Sequence, residues 1–232
     1  MAASSDFGDV AVVMITRNEE GAVAKVIGDA LRALPGAEVF VIDGSDDSTP
    51  AVARKAGATV IREPGGGFGP AFHAALMAPS RPFVVTVDAD DTYPASVFPR
   101  LVELVRQGFD VAGTDRLGRR PPPAMPLANW LANRLFGALG SLRARRRLFD
   151  LHSGQRAYRA EVLHRFDWDF QGLAFPVDLL LWPALDGCRV TEIEIAYQER
   201  VGESKLQRWP STIATLKRLV RPRSAIKTKP SR

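Results

Sequence analysis

Three carboxylates follow an apolar run within four residues. Asp88, Asp90 and Asp91 come directly after the segment "PFVVTV" at residues 82–87. Like charges at this spacing repel one another, so their grouping favours a cation close by. Mg²⁺ and Mn²⁺ bind oxygen ligands and commonly share them between one or two carboxylates and the phosphates of a substrate. The alternative is a solvated acidic turn that caps the next helix, and this segment alone leaves both interpretations open.

Short runs rich in β-branched residues alternate with stretches of helical period in the first half of the chain. The predicted strands are 10–15, 38–43, 58–62 and 82–87, and the predicted helices are 20–34, 48–56, 68–77 and 95–107. Apolar strands joined by helices indicate a parallel sheet covered on both faces, whose ligands bind beyond the carboxyl ends of the strands. The clusters "TRNEE", "DGSDDST" and "DADD" each follow a strand, so we expect all three at one edge of the sheet.

After residue 113 the pattern changes, beginning with a proline-rich stretch at 118–126. The later predicted elements are a helix at 127–142, a strand within 151–159, a buried helix at 175–185, an alternating strand at 189–197 and an amphipathic helix at 209–220. A chain of 232 residues with 46% hydrophobic composition can bury a sizeable core. We predict a flexible N-terminal segment 1–8, one domain at 9–206, and a basic C-terminal helix and tail at 207–232.

Charge is distributed unevenly along the chain. The formal net charge of +5 is modest, but every charged residue from Arg116 to Arg147 is an arginine. From Arg200 onward the only acid is Glu203, whereas the first hundred residues hold most of the aspartate clusters. This asymmetry indicates an anionic partner, which could be a nucleic acid, a membrane surface or a phosphorylated substrate.

The single cysteine, Cys188, excludes a disulfide framework and a cysteine-based zinc site, so we expect a reducing compartment. The first residues lack the basic and apolar regions of a signal peptide. No run reaches the ~20 apolar residues that a membrane-spanning helix needs. We therefore expect the protein in the cytoplasm, either soluble or peripheral on the cytoplasmic face of a membrane.

Six short motifs, taken in their order, resemble those of family 2 glycosyltransferases with the GT-A fold. The similarity is greatest to the dolichol-phosphate (polyprenyl-phosphate) mannosyltransferase branch and covers roughly residues 9 to 206. The motifs are "MITRNEE", "VIDGSDDST", "REPGGGFGPAFHAAL", "DADDTYP", "DLHSGQRAY" and "ERVGESKL". The resemblance implies an α/β fold of the GT-A (Rossmann-like) type, a mostly parallel sheet flanked by helices in a single domain.

The resemblance also implies a site for a nucleotide-diphosphate sugar. Asp88 and Asp90 would hold Mg²⁺ or Mn²⁺ against the donor diphosphate, and Asp43 would accept hydrogen bonds from the base or ribose. Ile42 stands where the family commonly has a second acid, which leaves the choice of base open. The remaining predicted donor-site residues are Thr16, Arg17, Asn18, Glu19 and Gly67. The alternative role for Thr16 or Asn18 is to cap the following helix.

For the acceptor, the segment "ERVGESKL" implies a phosphate site. Arg200, Ser204 and Lys205 could point at one locus because Gly202 permits a tight turn, and Arg116 is expected to add a contact. Asp178 lies in the apolar context "FPVDLLLW", where a lone charge is costly. It could act as a base toward a hydroxyl acceptor or anchor an arginine. The predicted catalytic residues are Asp90, Asp178, Arg200 and Lys205.

The functional hypothesis is an inverting, metal-dependent transfer of a hexose onto a polyprenyl or dolichyl phosphate, with mannose from GDP-mannose as the first donor. UDP-glucose is the alternative donor, and a soluble small molecule is the alternative acceptor. A different class remains open, in which the basic stretches bind nucleic acid or the fold binds a nucleotide without catalysis. Acids at strand ends and the scarcity of aromatic residues between the arginines argue against nucleic acid as a partner.

Overall fold

The computed structural model describes residues 6–63, 65, 67–172, 174–199, 208–226 and 228. Its centre is a sheet of seven strands in the order β3-β2-β1-β4-β6-β5-β7. The strands are β1 (Val10–Thr16), β2 (Glu38–Asp43), β3 (Thr59–Arg62), β4 (Phe83–Thr86), β5 (Val111–Asp115), β6 (Arg156–Arg159) and β7 (Val190–Glu194). The mostly parallel α/β sheet predicted from the sequence is confirmed.

Helices cover both faces of this sheet. They are α1 (Val23–Ala33), α2 (Thr49–Lys55), α3 (Phe68–Met77), α4 (Phe98–Arg106), α5 (Leu127–Ala144), α6 (Ala160–Arg165), α7 (Phe175–Leu185) and α8 (Arg208–Val220). Alternate side chains of β1 enter two different hydrophobic clusters: Val12 packs with α1 and α4, and Val13 packs with α3 and α7. The near-continuous apolar sequence of β1 follows from this double burial.

The predicted bounds of α3 and α7 agree with the structure at both ends. Helix α1 begins at Val23 instead of residue 20, because Glu20 and the weak helix former Gly21 lie in a turn. The short helix α6 was not predicted. None of the helices in the described part of the chain is long and apolar enough to cross a lipid bilayer.

One strand runs against the others. β6 pairs antiparallel with both β4 and β5, and its first residue Arg156 lies opposite Thr86 at the end of β4. The segment that precedes β6, residues 150–155, therefore reaches the same edge of the sheet as the loops that follow β1, β2, β4 and β5. This edge brings together the polar clusters noted in the sequence.

Candidate active site

The three aspartates after β4 have three different environments. Asp88 is exposed at the sheet edge, whereas Asp90 is only 4% exposed. Oδ1 of Asp90 accepts hydrogen bonds from the hydroxyl (2.7 Å) and backbone N–H (3.3 Å) of Thr92, which closes a tight turn. Asp91 adopts a positive φ of 62° and pairs with Nζ of Lys25 at 2.6 Å. Asp88 and Asp90 thus remain the pair at the site, while Asp91 is directed toward α1.

Asp88 lies directly against Gly154, in the segment that precedes β6. A Cβ atom on Gly154 would lie 2.5 Å from Oδ2 and 2.6 Å from Oδ1 of Asp88, closer than real Cβ atoms come. The backbone of Gly154 is held on both sides, because its N–H donates to the Tyr93 hydroxyl (2.7 Å) and its carbonyl accepts from the Thr86 hydroxyl (2.8 Å). Gly154 therefore forms a cradle whose shape requires the absence of a side chain.

This donor set suits a divalent cation that completes its coordination with a substrate. Among the described residues no group of three or more His, Cys, Asp or Glu side chains could hold a metal by itself. Mg²⁺ is usually held by one or two carboxylates together with water and substrate phosphates. Asp88 and Asp90 match that pattern, and the buried hydroxyl of Thr92 donates its hydrogen to Asp90.

Gly154→Ala is expected to weaken Mn²⁺ binding about fivefold, roughly 1 kcal/mol, because the methyl group must displace the Asp88 carboxylate. A Mn²⁺ titration followed by electron paramagnetic resonance, with GDP or UDP present, measures this directly. The control is Gly28→Ala in α1, where the new methyl group would meet only the mobile end of Arg32 at 3.2 Å. Equal Mn²⁺ affinity in the two variants would show that Gly154 has no role in placing Asp88.

Asp43, at the end of β2, is held in a fixed orientation by hydrogen bonds to one of its two carboxylate oxygens. Its Oδ1 accepts hydrogen bonds from the hydroxyls of Thr16 (2.9 Å) and Ser45 (2.6 Å). Its Oδ2 is buried and accepts no hydrogen bond from any described residue, although Nη1 of Arg62 lies 3.5 Å away. A buried acceptor without a donor is costly, so this oxygen is suited to a donor group of a base or ribose.

Backbone contacts join the loops that follow β1 and β2. The N–H of Asn18 donates to the Ser45 hydroxyl (2.8 Å), and the N–H of Glu19 donates to the Thr49 hydroxyl (2.9 Å). Helix α1 has Ala22 at its N-cap without a side-chain hydrogen bond, so the alternative role of Thr16 or Asn18 as its cap is wrong. Ser45 and Thr49 were not predicted as supports of this loop pair, although both stand in the motif "DGSDDST".

Gly67 and Arg17 also lie in loops at the ends of strands. Gly67 has a φ of +87° immediately before α3, and a side chain there would meet no atom within 4 Å. Its N–H donates to the Glu63 side chain at 3.0 Å. Arg17 is exposed in the loop after β1. The open space at Gly67 is consistent with the close approach of a ligand to its backbone.

Arg116, a predicted acceptor-site residue, pairs with a buried carboxylate. Its guanidinium forms a two-pronged ion pair with Asp150, in which Nε lies 2.6 Å from Oδ2 and Nη2 lies 2.9 Å from Oδ1. Burial favours the neutral form of Asp150, but the Arg116 charge outweighs burial and lowers the pKa of this carboxyl. These contacts fix the loop after β5, and the contact of Arg116 with an acceptor phosphate remains a prediction.

Asp178, in the first turn of α7, has no exposed surface. Its Oδ2 lies 2.6 Å from Nη1 of Arg218 on α8, and burial raises the pKa of the carboxyl to about 7. Of the two roles predicted from the sequence, these contacts support the arginine anchor. The predicted acceptor-site residues Arg200, Ser204 and Lys205 lie outside the described residues and remain predictions.

Comparison with known proteins adds a sequence match. Residues 11–166 match the profile described as "Glycosyl transferase family 2". The chain is 42% identical over 216 residues to a dolichyl-phosphate hexose transferase of Haloferax volcanii, with 93% of this chain and 94% of that protein covered. It is 31% identical to an undecaprenyl-phosphate mannosyltransferase of Micrococcus luteus, with 85% of this chain and 87% of that protein covered.

The fold has counterparts among solved structures. One is the crystal structure of glucosyl-3-phosphoglycerate synthase from Mycobacterium tuberculosis in complex with Mn²⁺, UDP-glucose and phosphoglyceric acid. The two chains superpose with a TM-score of 0.71 at 21% sequence identity, over 90% of this chain and 79% of the other. At that identity the likeness establishes the shared fold.

Proposed function

Because the chain belongs to glycosyl transferase family 2, we propose that this glycosyltransferase moves a hexose from a nucleotide-diphosphate donor onto a polyprenyl or dolichyl phosphate. The observation that carries the acceptor is the 42% identity to a dolichyl-phosphate hexose transferase along 93% of the chain. The donor site is supported by the convergence of Asp43, Asp88 and Asp90 at one sheet edge.

GDP-mannose is the proposed donor, and UDP-glucose is the second candidate. The Micrococcus luteus relative is named as a mannosyltransferase, which supports mannose. The structural relative was solved with UDP-glucose, which keeps the uridine donor as the alternative. Asp43 is proposed to accept a hydrogen bond from the nucleoside through Oδ2, since Thr16 and Ser45 already occupy Oδ1.

In the proposed reaction an acceptor phosphate oxygen attacks the anomeric carbon on the face opposite the leaving diphosphate, so the configuration inverts. A phosphate monoester is already largely ionised at neutral pH, with a second pKa near 6, and needs no general base. The pairing of Asp178 with Arg218 is consistent with such a reaction. Mg²⁺ or Mn²⁺ held by Asp88 and Asp90 would neutralise charge on the leaving diphosphate. Arg200, Ser204 and Lys205 are proposed to position the acceptor phosphate, so that catalysis rests on orientation and charge.

Calorimetry should detect GDP-mannose binding that strengthens when Mn²⁺ is present, because the ion shares ligands between protein and diphosphate. UDP-glucose is titrated in parallel. Asp43→Asn is expected to weaken donor binding, whereas the control Asp46→Asn changes an exposed carboxylate in the same loop and should not. Binding of UDP-glucose without binding of GDP-mannose would make UDP-glucose the donor. Failure of both nucleotide sugars to bind would contradict the proposed function.

A further inference from the structure

Helix α5 exposes a row of leucines. Five of its leucines are between 37% and 78% exposed: Leu127, Leu131, Leu135, Leu139 and Leu142. Their spacing of three or four residues places them on one side of the helix, while Phe136, Gly137 and Gly140 are buried on another. Scattered exposed leucines are ordinary, but a continuous row along one helix indicates a surface that a membrane or another protein molecule covers.

The neighbouring helix α8 adds three exposed apolar side chains, Ile213, Leu216 and Val220. The guanidinium of Arg143 at the end of α5 donates to the carbonyls of Arg218, Leu219 and Arg221 at the end of α8. The C-terminal ends of the two helices are therefore joined. We call the eight exposed apolar side chains of α5 and α8 the apolar face.

Exposed basic residues lie within α5 and shortly before and after it in the sequence. Arg119 and Arg120 precede α5, Arg134 lies within it, and Arg145, Arg146 and Arg147 follow it. No acidic residue occurs between Arg116 and Arg147. A second copy of the chain would bring these arginines against one another, which like-charge repulsion opposes. An anionic lipid surface offers the opposite charge at its headgroups and an apolar layer directly beneath them.

We propose that α5 and α8 lie in the plane of an anionic lipid membrane, with the apolar face at the acyl boundary and the arginines at the headgroups. The inference deepens the proposed function and rests on it for its purpose, since a polyprenyl phosphate is a membrane component. In this proposal the arginines contact the phosphate groups of the lipid leaflet.

This placement also orients the candidate active site. The indole Nε1 of Trp130 in α5 donates to the carbonyl of Leu117 at 2.6 Å, and Nη1 of Arg134 donates to the carbonyl of Gly118 at 2.6 Å. Leu117 and Gly118 follow β5 at the carboxyl edge of the sheet. On the other side, Nε2 of His152 lies 2.9 Å from the Thr215 hydroxyl of α8. Docking through α5 and α8 would thus hold the carboxyl edge beside the membrane, where a lipid phosphate is presented.

The test is co-sedimentation of the full chain with phosphatidylcholine vesicles that contain or lack phosphatidylglycerol. The wild type should bind the anionic vesicles at low salt and dissociate as salt rises, because basic residues contribute about fivefold each near an anionic surface. Leu135→Ser should weaken binding, and Leu131→Ser, Leu135→Ser and Leu142→Ser combined should weaken it by about tenfold or more. The matched control is Ile61→Ser, an exposed apolar residue on β3, which should bind as the wild type does.

Each outcome decides between occupants of the apolar face. Unchanged vesicle binding in the triple variant, or equal binding to vesicles without phosphatidylglycerol, would overturn the proposal. Absence of vesicle binding in the wild type would do the same, and a dimer dispersed by the three substitutions would identify a second copy as the occupant. Transfer to a short, soluble polyprenyl phosphate, measured without vesicles, should be equal in the wild type and the triple variant. If the wild type does not transfer hexose to this soluble acceptor, the proposed function is contradicted. The result on vesicle binding is unaffected by that outcome.

Discussion

Asp90→Asn is expected to reduce turnover at least tenfold, which corresponds to ~1.4 kcal/mol or more in the activation free energy. The substitution removes one negative charge from the proposed metal site. It keeps the oxygen that accepts the hydrogen bonds from Thr92, so the turn at residues 90–92 should survive. The measurement is the rate of hexose transfer to a short polyprenyl phosphate at saturating donor, together with the Mn²⁺ concentration that gives half-maximal rate.

Asp91→Asn is the matched control for that variant. Asp91 is adjacent in sequence, but its carboxylate pairs with Lys25 on α1. Its loss should lower stability by no more than about 1 kcal/mol, the usual range for an exposed ion pair, and should leave turnover near that of the wild type. Similar, mild effects of both substitutions on turnover would support the alternative interpretation, in which this segment is a solvated acidic turn.

Arg116→Met is expected to lower the free energy of unfolding by about 3–5 kcal/mol, because it leaves the Asp150 carboxylate buried without its partner. Adding Asp150→Asn should recover part of that loss, since the amide removes the unpaired charge and its single oxygen can still accept the hydrogen bond from the backbone N–H of His152. Urea unfolding at neutral pH gives both free energies.

The comparison for this pair is Arg32→Met, which breaks the exposed ion pair with Asp29 in α1. Exposed pairs between residues one helical turn apart contribute about 0.3–0.5 kcal/mol. A loss of that small size in Arg116→Met would mean that the ion pair with Asp150 is not a structural support.

The sequence was sufficient for the parts of the fold that local pattern determines. The apolar run of β1 and the bounds of α3 and α7 follow from periodicity and from the residues at their ends. The convergence of the clusters after β1, β2 and β4 follows from the general geometry of parallel sheets. Asp43, Asp88 and Asp90 could therefore be assigned to one edge from the order of strands and polar clusters along the chain.

The remaining features depend on contacts between distant residues. The cradle at Gly154 exists only because β6 runs antiparallel beside β4, and strand direction has no local signature in four residues. Similarly, the partner of Arg116 is Asp150, which lies 34 positions away in the sequence. The basic composition around Arg116 therefore could not predict this ion pair. The exposure of the leucines on α5 was also not determined by their spacing, because the same spacing is typical of a helix packed on a core.

The antiparallel insertion of β6 makes the candidate active site sensitive to strand alignment. Thr86 lies opposite Arg156, and this pairing places Gly154 beneath Asp88. A slip of β6 by a single residue would bring Ser153 or Gln155 to that position and would also turn Arg156 and Tyr158 to the opposite face of the sheet. Molecules that fold with such a slip could retain much of their helix content while losing the proposed metal site. Mn²⁺ binding would therefore report how much of a refolded preparation has reached the correct pairing, which spectroscopic measures of secondary structure cannot distinguish.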